Sequence, residues 1–324
     1  MNKTKNIKVR IDQCLDNFCR KNFEYFPHLK EALFPGRRSR PILFYSLLSK
    51  APTKDVDRIG MAIEFSHRAS IILDDLIDND ILRRREKTFH SLFGKTTTIL
   101  VSHFLISSSF NILNEVTLIN KENINSAFYD AGKKMILGEM ADIGAVNKFD
   151  LDTYLQKLLL KTSSLYELAA KCAALVNQEN DLQVSLYSKI GDKIGRLYQM
   201  LNDLYDDSEA HIYERGEKKT WSFNLTLLKA IAYEYGDPNT KELLSDYFQR
   251  SVLSEDDFVE ATRFFKTEKY LKIAKENIYY QIHELTLLLK QLTNIEAKNI
   301  FNKMLNEMKE SKYHNHYEFT EAGY

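Results

Sequence analysis

From residue 53 to the end of this chain there is one proline, Pro238. The other four, Pro27, Pro35, Pro41 and Pro52, fall in the first 52 residues, and glycine is scarce at 11 in 324. These are the two residues that interrupt helices, proline by removing an amide donor and glycine by its backbone entropy. So long a stretch with so few of either, and with apolar residues at three- and four-residue spacing, predicts an all-α fold. No strand pattern competes with that reading. The length suits one large domain or two small ones. We read one domain over residues 1–324, with a short polar tail at 311–324 that is rich in Tyr and His.

Two of the apolar helical runs end in acid. The first, from Ser70 to Asp80, carries Asp74, Asp75, Asp78 and Asp80. Asp74 and Asp78 are four apart, so on a helix they stand on one face, one turn above the other. Like charges at that spacing repel, and a bound cation is the simplest reason to keep them there; a solvated acidic helix end is the plainer alternative. Mg²⁺ suits such oxygens, since it takes one or two carboxylates and completes its shell with phosphate and water. The second run ends in Asn202, Asp203, Asp206 and Asp207, with Asn202 and Asp206 again four apart. Two such ends across a cavity would clamp a diphosphate through several metal ions.

Basic residues follow these features closely. A turn from Phe34 to Pro41 carries Arg37, Arg38 and Arg40. Guanidinium forks match phosphate oxygens, although a solvated basic turn has the same composition. Arg83, Arg84 and Arg85 come just after the first acidic end, and Lys218 and Lys219 after the second. Lys161 interrupts an apolar periodic segment and either snorkels to the surface or faces the cavity as a phosphate ligand. His103 is expected to be packed or hydrogen-bonded within its helix.

Composition excludes several classes. Lys plus Arg equals Asp plus Glu at 45 each, so net charge names no nucleic-acid or membrane partner. Cys14, Cys19 and Cys172 are odd in number and form no CxxC, against a disulfide framework or a zinc site. A reducing, cytoplasmic location fits. The basic N-terminus runs into no uninterrupted apolar segment, and neither a signal peptide nor a membrane-spanning run is expected. The P-loop and GxGxxG patterns of ATP and dinucleotide sites are missing.

Periodicity places helices over 7–26, with Val9, Cys14, Leu15 and Phe18 on one stripe, and over 42–49, opened by Pro41. A further helix is capped by Asp55 and runs to the first acidic cluster. Residues 88–95 read as a turn. Helices follow over 97–113, 127–144, 152–172, 182–206 and 221–235, and two or three peripheral ones over 240–309. Gly191 and Gly195, four apart in the 182–206 helix, would let a neighbour approach closely.

The chain resembles the trans-prenyl diphosphate synthases, or polyprenyl synthetases, from about Phe34 to the C-terminal helices. The likeness rests on ordered motifs: Gly36-Arg-Arg-Ser-Arg-Pro41; Glu64-Phe-Ser-His67 leading through Ala69 and Ser70 to Asp74-Asp75-x-x-Asp78; Arg83-Arg84; Thr88-Phe-His90 with Phe93-Gly94; Lys161-Thr162; and Tyr198-Gln199-Met-Leu-Asn202-Asp203-x-x-Asp206. It implies an isoprenoid synthase helical bundle around a deep central cavity, usually a homodimer, with a heteromer also open. It further implies Mg²⁺-dependent condensation of isopentenyl diphosphate with an allylic prenyl diphosphate. Three Mg²⁺ ions would bridge the allylic diphosphate to Asp74 and Asp78 on one side and to Asn202 and Asp206 on the other. By the same resemblance Asp75, Arg83, Lys161, Thr162, Gln199, Asp203 and Lys218 serve the allylic half. Arg37, Arg40, His67 and Arg84 would hold isopentenyl diphosphate. Small residues at Ser66, Ala69 and Ser70 before the first aspartates imply a product of C20 or longer, with the floor set by Phe65, Phe104, Phe110 or Met135.

The chain also departs from that pattern. Asn202 stands where the family has aspartate, Glu139 where it has glutamine, Ser102-His103 where it has Gly-Asp, Arg37 for lysine and Arg85 for glycine. The loop after Asp206 is short and carries Glu217. Three readings follow: an active synthase; a class I terpene cyclase or a prenyltransferase with another acceptor; and a regulatory or inactive subunit of a heteromeric synthase. Arg37, Arg40 and His67, all present for a second diphosphate, favour the first.

Overall fold

The computed structural model describes residues 3–22, 24–34, 36–83, 86–143, 148–208, 220–250 and 252–310. Helices α1 (Lys3–Asn22), α2 (Leu29–Leu33) and α3 (Ser39–Ser46) lead into the long α4 (Lys54–Ile77). A two-residue hairpin, β1 (Leu82–Arg83) with β2 (Glu86–Lys87), and the short α5 (Phe89–Phe93) turn the chain into α6 (Lys95–Asn114). Then come α7 (Lys121–Ile143), α8 (Leu151–Leu160), α9 (Ser163–Val176) and the 28-residue α10 (Asp181–Ser208). The strand β3 (Thr220–Ser222) precedes α11 (Leu227–Tyr235) and α12 (Pro238–Arg250), and pairs antiparallel with β4 (Val252–Ser254). Helices α13 (Glu255–Phe265), α14 (Glu268–Lys290) and α15 (Ile295–Glu310) close the described chain.

One buried apolar cluster takes residues from α1 through α15, including Leu15, Phe44, Ile63, Tyr166, Ile194, Leu228 and Phe301. Two packed pairs form its backbone, α4 on α6 and α9 on α10. The second pair is tight because of the two glycines. A Cβ at Gly191 would lie 2.6 Å from the Tyr166 carbonyl oxygen, and one at Gly195 would lie 2.6 Å from Ser163 Cα. The close approach expected from their spacing is therefore real, and its partner is α9.

Several expectations need correction. The buried stripe of α1 is Ile7, Ile11, Leu15 and Cys19, a four-residue repeat, and Val9 is 48% exposed. Helix α3 begins at Ser39, two residues before Pro41, and residues 88–95 contain α5 rather than only a turn. Thr53 caps α4, accepting from the Val56 amide. Asp55 instead accepts from Thr117, at 2.9 Å from its amide and 2.7 Å from its hydroxyl, tying α4 to the connection between α6 and α7. The single helix expected over 152–172 is two, broken at Lys161 and Thr162. Helix α7 crosses at that break, where a Cβ at Gly138 would sit 3.1 Å from the Lys161 amide nitrogen. Residues 220–222 are strand, so the helix expected from 221 starts at Leu227. Four helices follow it where two or three were expected. His103 is exposed on α6 and not packed. Helix α6 is also long and apolar enough to cross a membrane by length and composition, which the sequence reading had not anticipated. Its residues are 44% buried within the fold over that window, and Ser109 Oγ lies 3.3 Å from Ser66 Oγ of α4.

Candidate active site

Helix α4 carries Ser66, Ser70, Asp74 and Asp78 at successive four-residue steps, so these side chains share one face. Asp75 lies one residue round, 3% exposed, and accepts from Arg83 Nε at 2.6 Å. Arg83 Nη2 also reaches Asp74 Oδ2 at 3.2 Å, so the β1 hairpin folds back onto the end of α4. On the other side of Asp74, Lys161 Nζ lies 2.7 Å from Oδ1 and 2.8 Å from Glu139 Oε2. Lys161 therefore points inward. The break between α8 and α9 turns it there, and the choice between surface and interior is settled by that kink.

Among the described residues, the carboxyl groups of Asp74, Asp75, Asp78 and Glu139 outnumber the cations Lys161 and Arg83 at this end. Burial, then Asp74 and Glu139, push the Asp78 carboxyl up to about 7, with Lys161 acting in the opposite sense. Burial likewise raises Asp75, against the pull of Arg83. Asp74 Oδ1 is buried, and its contact with Lys161 is an ion pair without hydrogen-bond direction. Such an oxygen has capacity for a cation. Among the described residues no three His, Cys, Asp or Glu side chains form a ready-made metal cage. Mg²⁺ does not need one, because it keeps water and takes phosphate oxygens beside one or two carboxylates. The hard oxygen donors of Asp74 and Asp78 suit it.

At the second acidic end, Asp203 is 7% exposed and fully engaged. It accepts from Tyr154 Oη at 2.7 Å and from Gln199 Nε2 at 2.6 Å. Asp203 and Gln199 thus brace each other and α8, and Asp203 is buried rather than presented to solvent. Asn202 beside them is partly exposed. The side chain of Asp206, and all of Arg84 and Lys218, lie outside the described residues. Helix α8 joins the two acidic ends. Tyr154 holds Asp203, and seven residues on, two turns or about 10 Å along the axis, Lys161 meets Asp74. Thr162 sits at the break as the N-terminal cap position of α9 and makes no side-chain capping bond.

A basic site lies on the same α4, seven residues before Asp74, again about 10 Å along the helix. Arg40 Nη1 is 2.9 Å from His67 Nε2, and the Arg40 guanidinium stacks on the Tyr166 ring at 4.6 Å. A guanidinium only donates. His67 Nε2 therefore accepts, and the ring proton sits on Nδ1. Burial, then Arg40, keep the imidazole neutral by lowering its pKa well below the usual value. Arg37 is partly exposed, and its charge acts on the Tyr166 hydroxyl. Arg38 is not part of the surface: it is 2% exposed and paired with Glu64 and Asp12. The cluster of three clamp arginines expected from sequence is thus two, with the middle one turned inward.

Sequence reasoning missed Tyr166, Tyr154 and the pairing partner Glu64. Tyr154 and Tyr166 sit on apolar stripes where a tyrosine reads as core, and only their hydroxyl and ring partners on other helices reveal a role. A groove along α1 is lined by Val9, Asp12 and Asp16, and another between α7 and α9 by Lys134 and Glu167.

The helical bundle, with acidic and basic clusters on one long helix, is that of the isoprenoid synthase fold. Solved structures agree. A decaprenyl diphosphate synthase from Rhodobacter capsulatus superposes with a TM-score of 0.78 at 18% identity, over 95% of this chain and 98% of that one. A polyprenyl synthase from Caulobacter crescentus, solved with calcium and isoprenyl diphosphate, gives 0.79 at 18% identity over 93% and 94%. In sequence, the geranylgeranyl diphosphate synthase of Saccharolobus solfataricus is 26% identical over 304 residues, 84% of this chain and 88% of that protein. Residues 25–264 match the polyprenyl synthetase family, and the chain belongs to it.

Proposed function

We propose that this protein is a trans-prenyltransferase that condenses isopentenyl diphosphate with an allylic prenyl diphosphate and releases diphosphate. The observation that carries this reading is the pair of sites on α4: acid with Lys161 and Arg83 at Asp74, and purely basic with Arg40 at His67. Two diphosphates need two such sites. A cyclase needs one, so the basic site supports the synthase over that alternative.

The allylic diphosphate lies against Asp74 and Asp78, with Asn202 and Asp206 on the far side. Mg²⁺, three ions by the family resemblance, supplies the charge that makes diphosphate a competent leaving group there. Lys161 and Arg83 donate to the same phosphate oxygens and stabilise the charge that develops on them. Arg37, Arg40, Arg84 and the Nδ1–H of His67 hold isopentenyl diphosphate without metal. The allylic C–O bond breaks to leave an allylic cation and diphosphate, the double bond of isopentenyl diphosphate attacks that cation, and the proton lost afterwards goes to the departing diphosphate. Water must be kept from the cation, and the apolar stretch of α4 and its neighbours does this.

Chain length follows from the face of α4 before Asp74. Ser66 and Ala69 are buried and Ser70 is partly so, and all three are small. Phe65 is fully buried against Phe18, with ring centroids 4.6 Å apart, and Phe104 packs on the same ring at 6.1 Å. Both rings are engaged with α1, and Ser66 meets another small residue, Ser109 of α6, which supports a product of C20 or longer. Tyr129, Ile136, Leu137 and Met140 on α7, with Ile99 and Leu100 on α6, leave an exposed apolar face that suits a homodimer. A cytoplasmic location and a single domain complete the reading.

The experiment is a product assay on the purified chain with Mg²⁺, labelled isopentenyl diphosphate and each allylic starter in turn. Labelled polyprenyl diphosphates of C20 or more are expected, and Ser70→Phe should shorten them. Starter ionisation without isopentenyl incorporation would transfer the assignment to a cyclase or another acceptor. No turnover at all would point to a partner subunit.

A further inference from the structure

The basic turn before α3 is built on a side chain that never reaches solvent. Arg38 has φ 61°, the left-handed region, at the N-terminal cap of α3. Its guanidinium donates in four directions: Nε to Asp12 Oδ1 at 2.9 Å, Nη1 to Glu64 Oε1 at 2.6 Å and to the Leu33 carbonyl at 2.7 Å, and Nη2 to the Phe34 carbonyl at 3.1 Å. Alongside, Arg68 Nε donates to the Ala32 carbonyl at 2.7 Å. Three successive carbonyls at the end of α2 are thus held by two buried guanidiniums, and Glu64, 1% exposed, supplies the opposing charge. Gly36 completes the packing: its φ is 149°, and a Cβ there would lie 3.3 Å from Arg38 Nη1.

These contacts fasten the inside of the turn to α1, α2 and α4 together. The outside of the same turn meets α4 one helical turn later, where Arg40 reaches His67, three residues after Glu64. Both contacts share one register between the turn and α4. A shift that breaks the inner one displaces the outer one.

We propose that the buried Arg38–Glu64 pair is the positioning element of the metal-free diphosphate site: it sets Arg40 against His67, fixes the backbone that carries Arg37, and governs affinity for isopentenyl diphosphate without touching it. This rests on the two-diphosphate reading. Lysine cannot replace the arginine, because a single ammonium does not reach two carboxylates and two carbonyls in the plane of a fork.

The test is calorimetric titration of isopentenyl diphosphate, without metal, into the full chain and its variants. Arg38→Lys and Glu64→Gln should each raise Kd by about tenfold, the scale of one lost charge-assisted contact. Arg38→Gly should do the same, although glycine suits φ 61° better than arginine does. Binding of inorganic pyrophosphate with Mn²⁺ at the acidic end should stay within about twofold, a result that general unfolding would not give. Where Arg38→Lys folds poorly, Glu64→Gln keeps the shape and one oxygen acceptor for Arg38 Nη1; the affinity loss should persist. Wild-type affinity in these variants, parallel loss of both ligands, or no metal-free binding by the wild-type chain would each overturn the proposal. Elongation by the wild-type chain tests the underlying reading separately.

Discussion

Gly195→Ala pits two well-characterised effects against each other. In a helix interior alanine is favoured over glycine by about 1 kcal/mol, so propensity alone makes this variant more stable. The packing says otherwise. The new Cβ would lie 2.6 Å from Ser163 Cα, 2.9 Å from Ser163 Cβ and 3.1 Å from Tyr166 Cδ2. Ordinary contact starts at 3.4 Å, so α9 and α10 must part by 3.4 − 2.6 = 0.8 Å at this point. The nearest obstacle is backbone, which cannot rotate aside as a side-chain tip can. Overpacking of this kind costs about 1–3 kcal/mol, and a backbone clash belongs at the upper end. The net expectation is a loss of about 2 kcal/mol. The displaced segment is the start of α9, next to Lys161 and Thr162, and Tyr166 carries the ring under Arg40. Urea denaturation followed by circular dichroism measures the loss, and the same preparation assayed for elongation should show reduced turnover. A variant as stable as the parent, or more so, would refute the argument that this approach is limiting.

Three further outcomes are expected. Asp78, pushed up to about 7, keeps in the folded chain a proton that the unfolded chain gives up from about pH 4. Metal-free stability should therefore fall as pH rises from about 4 to 7, by at most about 1.4 kcal/mol per unit and less for a partly solvated carboxyl. Denaturant midpoints in EDTA should show that slope, and Asp78→Asn should flatten it; an unchanged slope assigns the proton elsewhere. Tyr154→Phe leaves the buried Asp203 one donor short and should cost about 1–3 kcal/mol of stability, read by the same denaturation; a neutral result would mean that the 2.7 Å bond carries no net energy. Asn202→Asp exchanges a neutral oxygen for a carboxylate and should lower the Mg²⁺ needed for half-maximal activity several-fold. An identical Mg²⁺ curve would remove position 202 from the metal site.

Much of the site was readable before the fold was known, for a local reason. Asp74 and Asp78 share a face because four residues are one helical turn, whatever packs around them, and the closeness demanded by Gly191 and Gly195 is legible in the same way. Boundaries were less legible. The break at Lys161 has no proline or glycine to announce it, and the α7 backbone that passes it at Gly138 is remote in sequence. Thr53 and Asp55 are both good caps by type, and Asp55 lost the place to a tertiary bond with Thr117.

The sequence by itself determined that this chain is helical and that acid and base gather at certain helix ends and turns. Those properties depend on neighbours within a turn or two. Only the tertiary structure decided what each charge does: that Arg38 turns inward to Glu64, that Lys161 reaches Asp74, that Asp203 is held by Tyr154, and that Arg40 lies on Tyr166. Each of these is settled by a partner on another helix. A long charged side chain can reach in several directions with little difference in local energy, and burial beside one particular opposite charge makes the choice.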